Sequence, residues 1–462
     1  MTKNRNNSFK TILVVFLVLY SLLLGFNTMG LSDYRIPVAL NVFVFVCFFV
    51  IYIIKYRRQN LLCFELMAIP IAFLGLFFDD LIFPLSPAFT TLNSVSSEAV
   101  RVKSEYIQMI SFFSLLLGCS VGNDSSPIHR STYNSSTLNR ISFNTLSNVL
   151  VIVLLIVIVY DYIGGVFSSW FYYSNSEIMD VDDRNKGLGH ITCLILAISC
   201  VEIVRLRERN VDGLISFIKH VNKFYLAEWI GISALLYLSG NRNEMLLILL
   251  PVVVGYSICI KKIPNKLLII SFIAGAVLMA AAGMTRMDSV SLSGSEINIV
   301  ALTRDFAGLG YNTDYLIDYS DRIGHTNFQE VPVQLLSGIP YIGYFLISTF
   351  GIKGPLPSAQ LCTDSIYMAS SGLGTSLIGD MYYTAGFLWV VIYMFIFGYI
   401  MSRLYNSDKN MNIYWLIFYT YMVSNAVYYI RSSWTFPITE IEYAIIIVFL
   451  GQLVCRKWLK TV

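Results

Sequence analysis

The strongest constraint on this chain is its succession of apolar segments, because a bilayer core about 30 Å thick needs about 20 apolar residues in a helix. The runs are about 14–21 residues long. They are 11–29, 36–54, 61–78, 106–121, 146–166, 188–204, 225–238, 245–260, 267–284, 386–401, 411–429 and 441–454. The sequence therefore predicts an all-α integral membrane protein with about 12 transmembrane helices.

The composition excludes several other classes of protein. Of the 462 residues, 56% are apolar and 13% are charged, and the mean hydropathy is +0.65. A soluble domain carries about 25% charged residues, so neither a soluble enzyme nor a disordered chain fits. The long runs also lack the alternation of a membrane β-barrel. The 32 basic and 29 acidic residues give a net charge of +3, which is too balanced to indicate nucleic-acid binding.

The distribution of lysine and arginine predicts the orientation in the membrane. The predicted cytoplasmic segments, such as 55–60, hold 21 of the 32 basic residues, and the exterior segments hold 11. Both termini are therefore predicted to be cytoplasmic. The apolar segment 333–351 contains Pro340 and Gly343, and it would invert every later loop if it crossed the membrane. We expect it to be re-entrant or interfacial.

The chain is expected to form one membrane unit with a nine-span part (1–284), a large exterior loop (285–385) and a three-span part (386–462). A loop this long is usually functional, and short helices are predicted within it. The sequence lacks Walker, GxGxxG and HExxH motifs and any His/Cys metal spacing, so no cofactor and no metal site is predicted. Cys362 is the only cysteine predicted outside, which excludes an exterior disulfide.

Two segments carry a resemblance to a known family. SGNRNEMLLILLP (239–251) resembles a G-x-R segment at the head of a span. GLGTSLIGDMYYTAGFL (372–388) resembles a small-residue stretch followed by an acid, an aromatic residue and a glycine. The family's acid is often Glu, whereas here it is Asp380. Together with the long exterior loop in a late position, these segments resemble Wzy-type O-antigen and capsular polysaccharide repeat-unit polymerases.

The resemblance implies a metal-independent, inverting-type membrane glycosyltransferase in the bacterial inner membrane, with its active site on the periplasmic face. A growing glycan on undecaprenyl diphosphate would be transferred en bloc to a lipid-linked repeat unit in O-antigen biosynthesis. Donor and acceptor are then both undecaprenyl-diphosphate-linked oligosaccharides in contact with membrane lipid. A flippase and a chain-length regulator are the expected protein partners, and no nucleic acid is involved.

The candidate site residues follow from the demands of this chemistry. A leaving diphosphate needs its charge stabilised, and an acceptor hydroxyl needs a base or an orienting acceptor. Arginine supplies a fixed fork for phosphate oxygens and accounts for eight of the 11 exterior basic residues. The predicted diphosphate-binding residues are Arg242, Arg286, Arg304, Arg431 and Arg322. The candidates for the catalytic base are Asp305, Asp318, His325, Glu330 and Asp380.

Structural explanations stay open beside these functional ones. Arg242 can form a helix-end charge pair with Glu244, and His325 can be structural. Asp380 can be a helix cap, and Asp318 can lie on a solvated face. A ladder of surface charges on a short exterior helix is expected from Glu98, Arg101, Lys103 and Glu105.

Other functions also remain open at this point. An O-antigen ligase would share the topology and the donor lipid but use another acceptor. A lipid-linked oligosaccharide flippase or another transporter would suit 12 spans with both ends inside. The gathering of charge on one side and the lack of an internal repeat argue against a transporter. A non-enzymatic structural or sensor membrane protein, whose exterior loop binds a ligand without chemistry, is a further alternative.

Overall fold

The computed structural model describes residues 2–26, 35–56, 61–82, 97–124, 143–164, 181–238, 242–271, 274–275, 309–339, 342–364, 374–406 and 412–461. Its secondary structure in these residues is helical. The helices are α1 (Thr2–Phe26), α2 (Arg35–Tyr56), α3 (Phe64–Ile82), α4 (Glu98–Asp124), α5 (Phe143–Ile163), α6 (Val181–Glu208), α7 (Leu214–His220), α8 (Lys223–Leu238), α9 (Arg242–Cys259), α10 (Leu309–Ile323), α11 (Glu330–Ser337), α12 (Gly343–Phe350), α13 (Ser358–Cys362), α14 (Leu377–Tyr405), α15 (Ile413–Ser424), α16 (Ala426–Tyr429) and α17 (Phe436–Thr461).

The long helices confirm an all-α membrane protein. Within the described ranges, seven helices are long and apolar enough to cross a membrane, namely α1, α2, α4, α5, α6, α14 and α17. Shorter apolar stretches lie in α3, α9 and α15. Eleven of the predicted runs coincide wholly or largely with helices, whereas most of 267–284 lies outside the described residues. The count of 12 spans therefore stays a prediction.

Two helices form the interior of the bundle. In the most apolar 18-residue stretch of α4, and likewise of α6, 89% of the stretch is buried inside the protein, compared with 17% in α1. Peripheral helices instead expose large apolar side chains such as Phe43 on α2 and Ile156 on α5. Exposed apolar faces of this size are unfavourable in water and suit contact with lipid.

Small residues allow α4 to pack directly on α14. A Cβ atom added to Gly118 would lie 2.1 Å from the carbonyl oxygen of Phe395, and one added to Gly122 would also meet α14 backbone. A Cβ atom on Gly398 would lie 2.4 Å from the carbonyl oxygen of Leu115. The spacing of Gly118 and Gly122 is that of a small-xxx-small contact between membrane helices. Any side chain here would push the two helices apart.

The predicted ladder of surface charges at 98–105 is wrong. These residues form the first turns of α4, and Arg101 and Glu105 are only 9% and 4% exposed. The side-chain amide of Asn41 donates to Glu105 Oε2 at 3.3 Å, and the Tyr20 hydroxyl donates to Asn41 Oδ1 at 2.7 Å. The spacing of charged residues in the sequence indicates which of them are neighbours on one helix. It does not indicate whether other helices cover that face.

α14 consists of two helical pieces joined at Ala385–Gly386, where the glycine has a φ of +74°. Carbonyl groups that precede such a break need partners from elsewhere. The carbonyl of Tyr383 accepts a hydrogen bond from the backbone N–H of Thr326 at 3.0 Å. The carbonyl of Thr384 accepts from the backbone N–H of Asn327 at 2.8 Å. The broken helix is therefore completed by a distant segment of the chain.

That segment is the turn formed by residues 324–329, between α10 and α11. Asn327 and Phe328 have φ values of +51° and +64°, which residues other than glycine rarely adopt. Such conformations cost about 1–3 kcal/mol each and persist where the surroundings enforce them. The hydrogen bonds to α14 provide that enforcement, so the turn and the helix break are held together.

Two short helices occupy the apolar segment 333–351. α11 and α12 have eight residues each, which is about 12 Å and too short to cross a bilayer. A Cβ atom on Gly343 would lie 1.9 Å from a carbonyl oxygen of α11, so the two helices pack closely. Phe345 and Phe350 are largely exposed. The segment is not one spanning helix; its re-entrant or interfacial placement stays a prediction, and Pro340 lies outside the described residues.

A buried polar network joins α5, α6 and the segment before α8. This Glu202 network consists of Glu202, Arg205, Ser147, Asn144 and Asn222. Arg205 Nη2 lies 2.5 Å from Glu202 Oε2, and both side chains are buried. The Ser147 hydroxyl and the backbone N–H of Asn222 also donate to Glu202, and Arg205 Nη1 donates to Asn144 Oδ1 at 3.2 Å. Buried charges require this degree of pairing.

Candidate functional site

A second polar network lies where α11, the first piece of α14 and the segment before α17 meet. This Glu330 network consists of Glu330, Thr326, Thr384, Trp434 and Asp380. The hydroxyl of Thr326 donates to Glu330 Oε2 at 2.8 Å, and the hydroxyl of Thr384 donates to Glu330 Oε1 at 2.7 Å. A carboxylate offers about four acceptor positions, so the half-buried Glu330 can still accept a further hydroxyl. Glu330 lies in the first turn of α11.

Trp434 links the two carboxylates of this network. Its indole Nε1 donates to Thr384 Oγ1 at 2.9 Å, and its backbone N–H donates to Asp380 Oδ2 at 2.9 Å. The side chain is buried, with 7% exposed. Glu330, Thr384, Trp434 and Asp380 therefore form one continuous chain of hydrogen bonds.

Asp380 is buried in the first turn of α14, but it does not cap that helix. The cap is Ser376, whose side chain accepts from the backbone N–H of Gly379 at 3.3 Å. Asp380 instead accepts from Trp434 and from the Ser358 hydroxyl. A buried carboxylate with these donors is suited to holding the segment before α17 against α14.

Arg431 lies beside the start of α14. Its carbonyl oxygen accepts from the backbone N–H of Thr375 at 3.0 Å. A Cβ atom on Gly374, which has a φ of +86°, would lie 3.7 Å and 3.8 Å from Nε and Nη2 of Arg431. The glycine-containing segment thus passes under the guanidinium group and leads into the positive end of α14. This combination favours an anionic ligand.

His325 lies in the 324–329 turn, next to the break in α14. Its ring centroid is 5.4 Å from that of Tyr382, and a Cβ atom on Gly386 would lie 3.0 Å from its Nε2. The ring is exposed. Of the predicted base candidates, the structure thus brings His325, Glu330 and Asp380 to the same stretch of α14.

Aromatic rings surround the hydrogen bonds of Trp434. Its centroid lies 5.2 Å from that of Trp389 and 5.5 Å from that of Tyr393, both with edge contacts. Phe328 makes an edge contact with Trp389 at 4.9 Å, and 39% of its side chain is exposed. Each edge contact of this kind stabilises the folded protein by about 0.5–1.5 kcal/mol beyond the contribution of the buried area. These contacts fix the indole in one orientation.

The remaining predicted residues do not join this network in the described structure. Arg322 Nη2 lies 2.6 Å from Asp318 Oδ2 in an i, i+4 pair along α10, with the arginine side chain 65% exposed. An exposed pair of this kind contributes about 0–1 kcal/mol to stability. The exposure agrees with the alternative that Asp318 lies on a solvated face. Arg242 begins α9, but its side chain is outside the described part. The residues that lie outside it altogether are Arg286, Arg304 and Asp305.

Thr326, Thr384 and Trp434 were not among the predicted site residues. Thr384 lies just before the glycine at the break, and Trp434 stands among serines and threonines at the head of α17. A tryptophan at the end of a span is usually part of the interfacial belt, so its position gave no reason to select it. The one available signal was a threonine directly before an Ala-Gly pair in an apolar run.

Lys103 and Cys362 complete the surroundings. Lys103 Nζ lies 2.5 Å from Asp321 Oδ2, and the Tyr382 hydroxyl donates to Asp321 Oδ1 at 2.8 Å, which ties α4 to α10 and α14. Burial raises the pKa of the Cys362 thiol to about 12, so this cysteine stays protonated at neutral pH. Among the described residues, no three His, Cys, Asp or Glu side chains are arranged to hold a metal ion.

Comparison with known proteins identifies the family. A model of the family described as O-antigen polysaccharide polymerase Wzy matches residues 214–461, which is more than half of the chain. The match includes the whole Glu330 network and Arg431. No curated protein and no solved structure matches the chain. The chain is thus a multi-pass membrane protein of the glycosyltransferase type that acts on lipid-linked oligosaccharides, and it belongs to the O-antigen polysaccharide polymerase Wzy family.

Proposed function

We propose that this protein elongates O-antigen at the periplasmic face of the bacterial inner membrane. The growing glycan, carried on undecaprenyl diphosphate, is transferred en bloc to a second lipid-linked repeat unit. Membership of the polymerase family supports the reaction. The observation that supports the site is the Glu330 network at the broken helix, with Arg431 beside the start of the same helix.

The proposed reaction is an inverting displacement. A hydroxyl oxygen of the acceptor repeat unit forms a bond to the anomeric carbon of the donor glycan, from the face opposite the diphosphate. The bond from that carbon to the phosphate oxygen breaks, and undecaprenyl diphosphate leaves with the electron pair. The hydroxyl proton passes to a carboxylate and then to water. Arginine side chains, rather than a divalent metal, stabilise the charge of the leaving group in this proposal.

Glu330 is the proposed base. Two hydroxyl donors fix its carboxylate, and it keeps acceptor positions for the substrate hydroxyl. The exposed His325 lies nearby and is suited to contact the glycan or to pass on the proton. Asp380 is buried among neutral donors, so we assign it a positioning role. Asp318 already pairs with Arg322, and we place neither at the site.

Arg431 is the proposed diphosphate ligand among the described arginines, because it lies over Gly374 at the positive end of α14. Arg242, Arg286 and Arg304 stay candidates for the same anion on the grounds of residue type and predicted topology. A bidentate fork matches two phosphate oxygens, whereas a lysine supplies only a point charge. Arg431→Ala and Arg431→Lys should therefore both lower activity.

Deletion of the gene tests the proposed reaction, with the surface polysaccharide analysed on a gel. Loss of a polymerase leaves the lipid A core carrying a single repeat unit. Core without any repeat unit, with polymer accumulating on the carrier lipid, would contradict the proposal and indicate a ligase. Repeat units stranded in the cytoplasm would contradict it and indicate a flippase. A flippase that supplies the substrate and a chain-length regulator are the protein partners that we propose for this reaction.

Reporter fusions test the proposed location. Both termini should report a cytoplasmic position, and a fusion at the 324–329 turn should report a periplasmic one. A cytoplasmic signal from that turn would overturn the proposed site, because the lipid-linked glycan would arrive on the other side of the membrane.

A further inference from the structure

Trp434 donates two hydrogen bonds within the Glu330 network, one from its backbone and one from its side chain. Its backbone N–H binds Asp380 Oδ2, and its indole N–H binds Thr384 Oγ1, each at 2.9 Å. The same Thr384 hydroxyl is 2.7 Å from Glu330 Oε1 and 3.0 Å from the carbonyl oxygen of Asp380. A single hydroxyl therefore has one donor and two competing acceptors around it.

The indole N–H decides how this hydroxyl behaves. A threonine hydroxyl has one proton and two acceptor positions. With one acceptor position occupied by Trp434, the proton points to either Glu330 or the carbonyl oxygen of Asp380. A hydrogen bond to a charged carboxylate is stronger than one to a neutral carbonyl, so the proton goes to Glu330. Without the indole N–H, the threonine rotamer loses one of the contacts that hold it in place.

We propose that Trp434 is a positioning residue for the transfer reaction: through Thr384 it holds the Glu330 carboxylate at the angle at which it accepts the substrate hydroxyl. The inference rests on the proposed role of Glu330 as the base. Trp434 acts through another side chain, so the variant should bind substrate normally and turn it over slowly. Small displacements of a reacting group lower the rate far more than they lower binding.

The surroundings of Trp434 support a positioning role. Edge contacts with Trp389 and Tyr393 hold the ring, and Phe328 of the 324–329 turn lies 6.3 Å from it. That turn also carries Thr326, the other donor to Glu330. The indole is thus packed against the loop that presents the base, which makes its orientation and that of Glu330 interdependent.

A double-mutant cycle tests the inference. The full-length protein in lipid nanodiscs would be assayed with lipid-linked repeat unit extracted from cells lacking this chain, and kcat and KM would be measured separately. Trp434→Phe keeps the apolar ring and removes the N–H, so kcat should fall about 3- to 10-fold, with KM within about twofold. Thr384→Val should lower kcat about 10- to 100-fold, because a hydrogen bond to a charged group is lost. Thr384→Ser should restore it.

The decisive result is the coupling between variants. In the double variant Trp434→Phe with Thr384→Val, kcat should equal that of Thr384→Val alone within about twofold, because the two residues act through one hydroxyl. Thr326→Val removes the independent donor to Glu330, so its effect should multiply with that of Trp434→Phe. Trp415→Phe is the matched control, since Trp415 is half exposed on α15, and it should leave both constants unchanged.

Other outcomes separate the inference from the proposed function. If the effects of Trp434→Phe and Thr384→Val multiply, or if Trp434→Phe changes KM alone, Trp434 only packs the site and the inference is overturned. If Glu330→Gln in the same series keeps the normal kcat, the proposed role of Glu330 fails, and the inference fails with it. If Trp434→Phe does not fold, Trp434→His, which retains a ring N–H, takes its place in the series. Equal kcat values for Thr384→Val and Thr384→Ser would also overturn the inference.

Discussion

The molecule contains two polar networks that differ in how their charges are compensated. In the Glu202 network a buried carboxylate faces a buried guanidinium group at 2.5 Å, on the unbroken helix α6. In the Glu330 network the groups that bind the two carboxylates are neutral, namely threonine and serine hydroxyls and a backbone amide. This network lies at a break in α14 and at a turn with two residues at positive φ.

This difference in charge compensation indicates that the Glu202 network stabilises the protein and that the Glu330 network serves its function. A carboxylate that is paired with a cation and already accepts several hydrogen bonds has few acceptor positions left for a substrate. It instead holds its helices together. A carboxylate held only by a few neutral donors keeps acceptor positions for a substrate hydroxyl. Strained backbone also concentrates where a site must be held in an unusual shape. We therefore expect damage to the Glu330 network to appear in activity and damage to the Glu202 network to appear in stability.

The largest effect is expected from Glu330→Gln. The amide keeps the size of the side chain but cannot accept a proton from the substrate hydroxyl. The polymerisation rate should fall about 10²- to 10⁴-fold, the usual contribution of a base, while the amount of protein in the membrane stays normal. Polymer length on a gel and an immunoblot of the same membranes check both statements. Full-length polymer from this variant would show that another group takes the proton.

The next largest effect is expected from Arg205→Ala, which leaves Glu202 buried without its cation. Breaking a buried pair on one side costs about 3–5 kcal/mol, so the thermal unfolding temperature of the purified protein in detergent should fall sharply. Turnover per folded molecule should stay near the wild-type value. Glu202→Gln combined with Arg205→Met removes both charges and should recover much of the stability. A loss of turnover without a loss of stability would contradict the division between the two networks.

A smaller effect is expected from Gly386→Ala. The glycine has a φ of +74°, and a Cβ atom there would lie 3.0 Å from His325 Nε2. Its ψ is −166°, and this combination of φ and ψ is essentially limited to glycine and costs an alanine about 1–3 kcal/mol. Displacement of the 324–329 turn should lower activity beyond that loss of stability. Gly189→Ala on α6 is the matched control, because a Cβ atom there meets nothing within 4 Å. In a helix that change should be neutral or stabilise by about 0.5–1 kcal/mol.

The smallest effect is expected from Lys261→Gln. Lys261 Nζ lies 3.2 Å from Asp212 Oδ1, and both side chains are more than half exposed. An exposed pair contributes about 0–1 kcal/mol, so neither the unfolding temperature nor the polymer pattern should change measurably. A clear loss of either would show that exposed charge in this protein carries more energy than the comparison of the two buried networks assumes.

Several features of the site were accessible from the sequence, and others were not. Glu330, Asp380 and Arg431 were selected because their residue types suit the chemistry, and the structure brings the two carboxylates into one network. Thr384 and Trp434 were missed because a threonine in an apolar run and a tryptophan at the end of a span indicate nothing special on their own. Their importance comes from contact with each other across 50 residues of sequence.

The sequence by itself determined that the chain is a bundle of membrane helices, because about 20 apolar residues in a bilayer must satisfy their backbone groups internally. It also placed Gly386 at the head of an apolar run, but the break in α14 at this glycine was not predicted. Only the tertiary structure decided which charges are buried, as Arg101 and Glu105 show, and which carboxylates share a hydrogen-bonded chain. Apolar patterning describes the surroundings of one helix, whereas contacts between side chains depend on how helices distant in sequence cross.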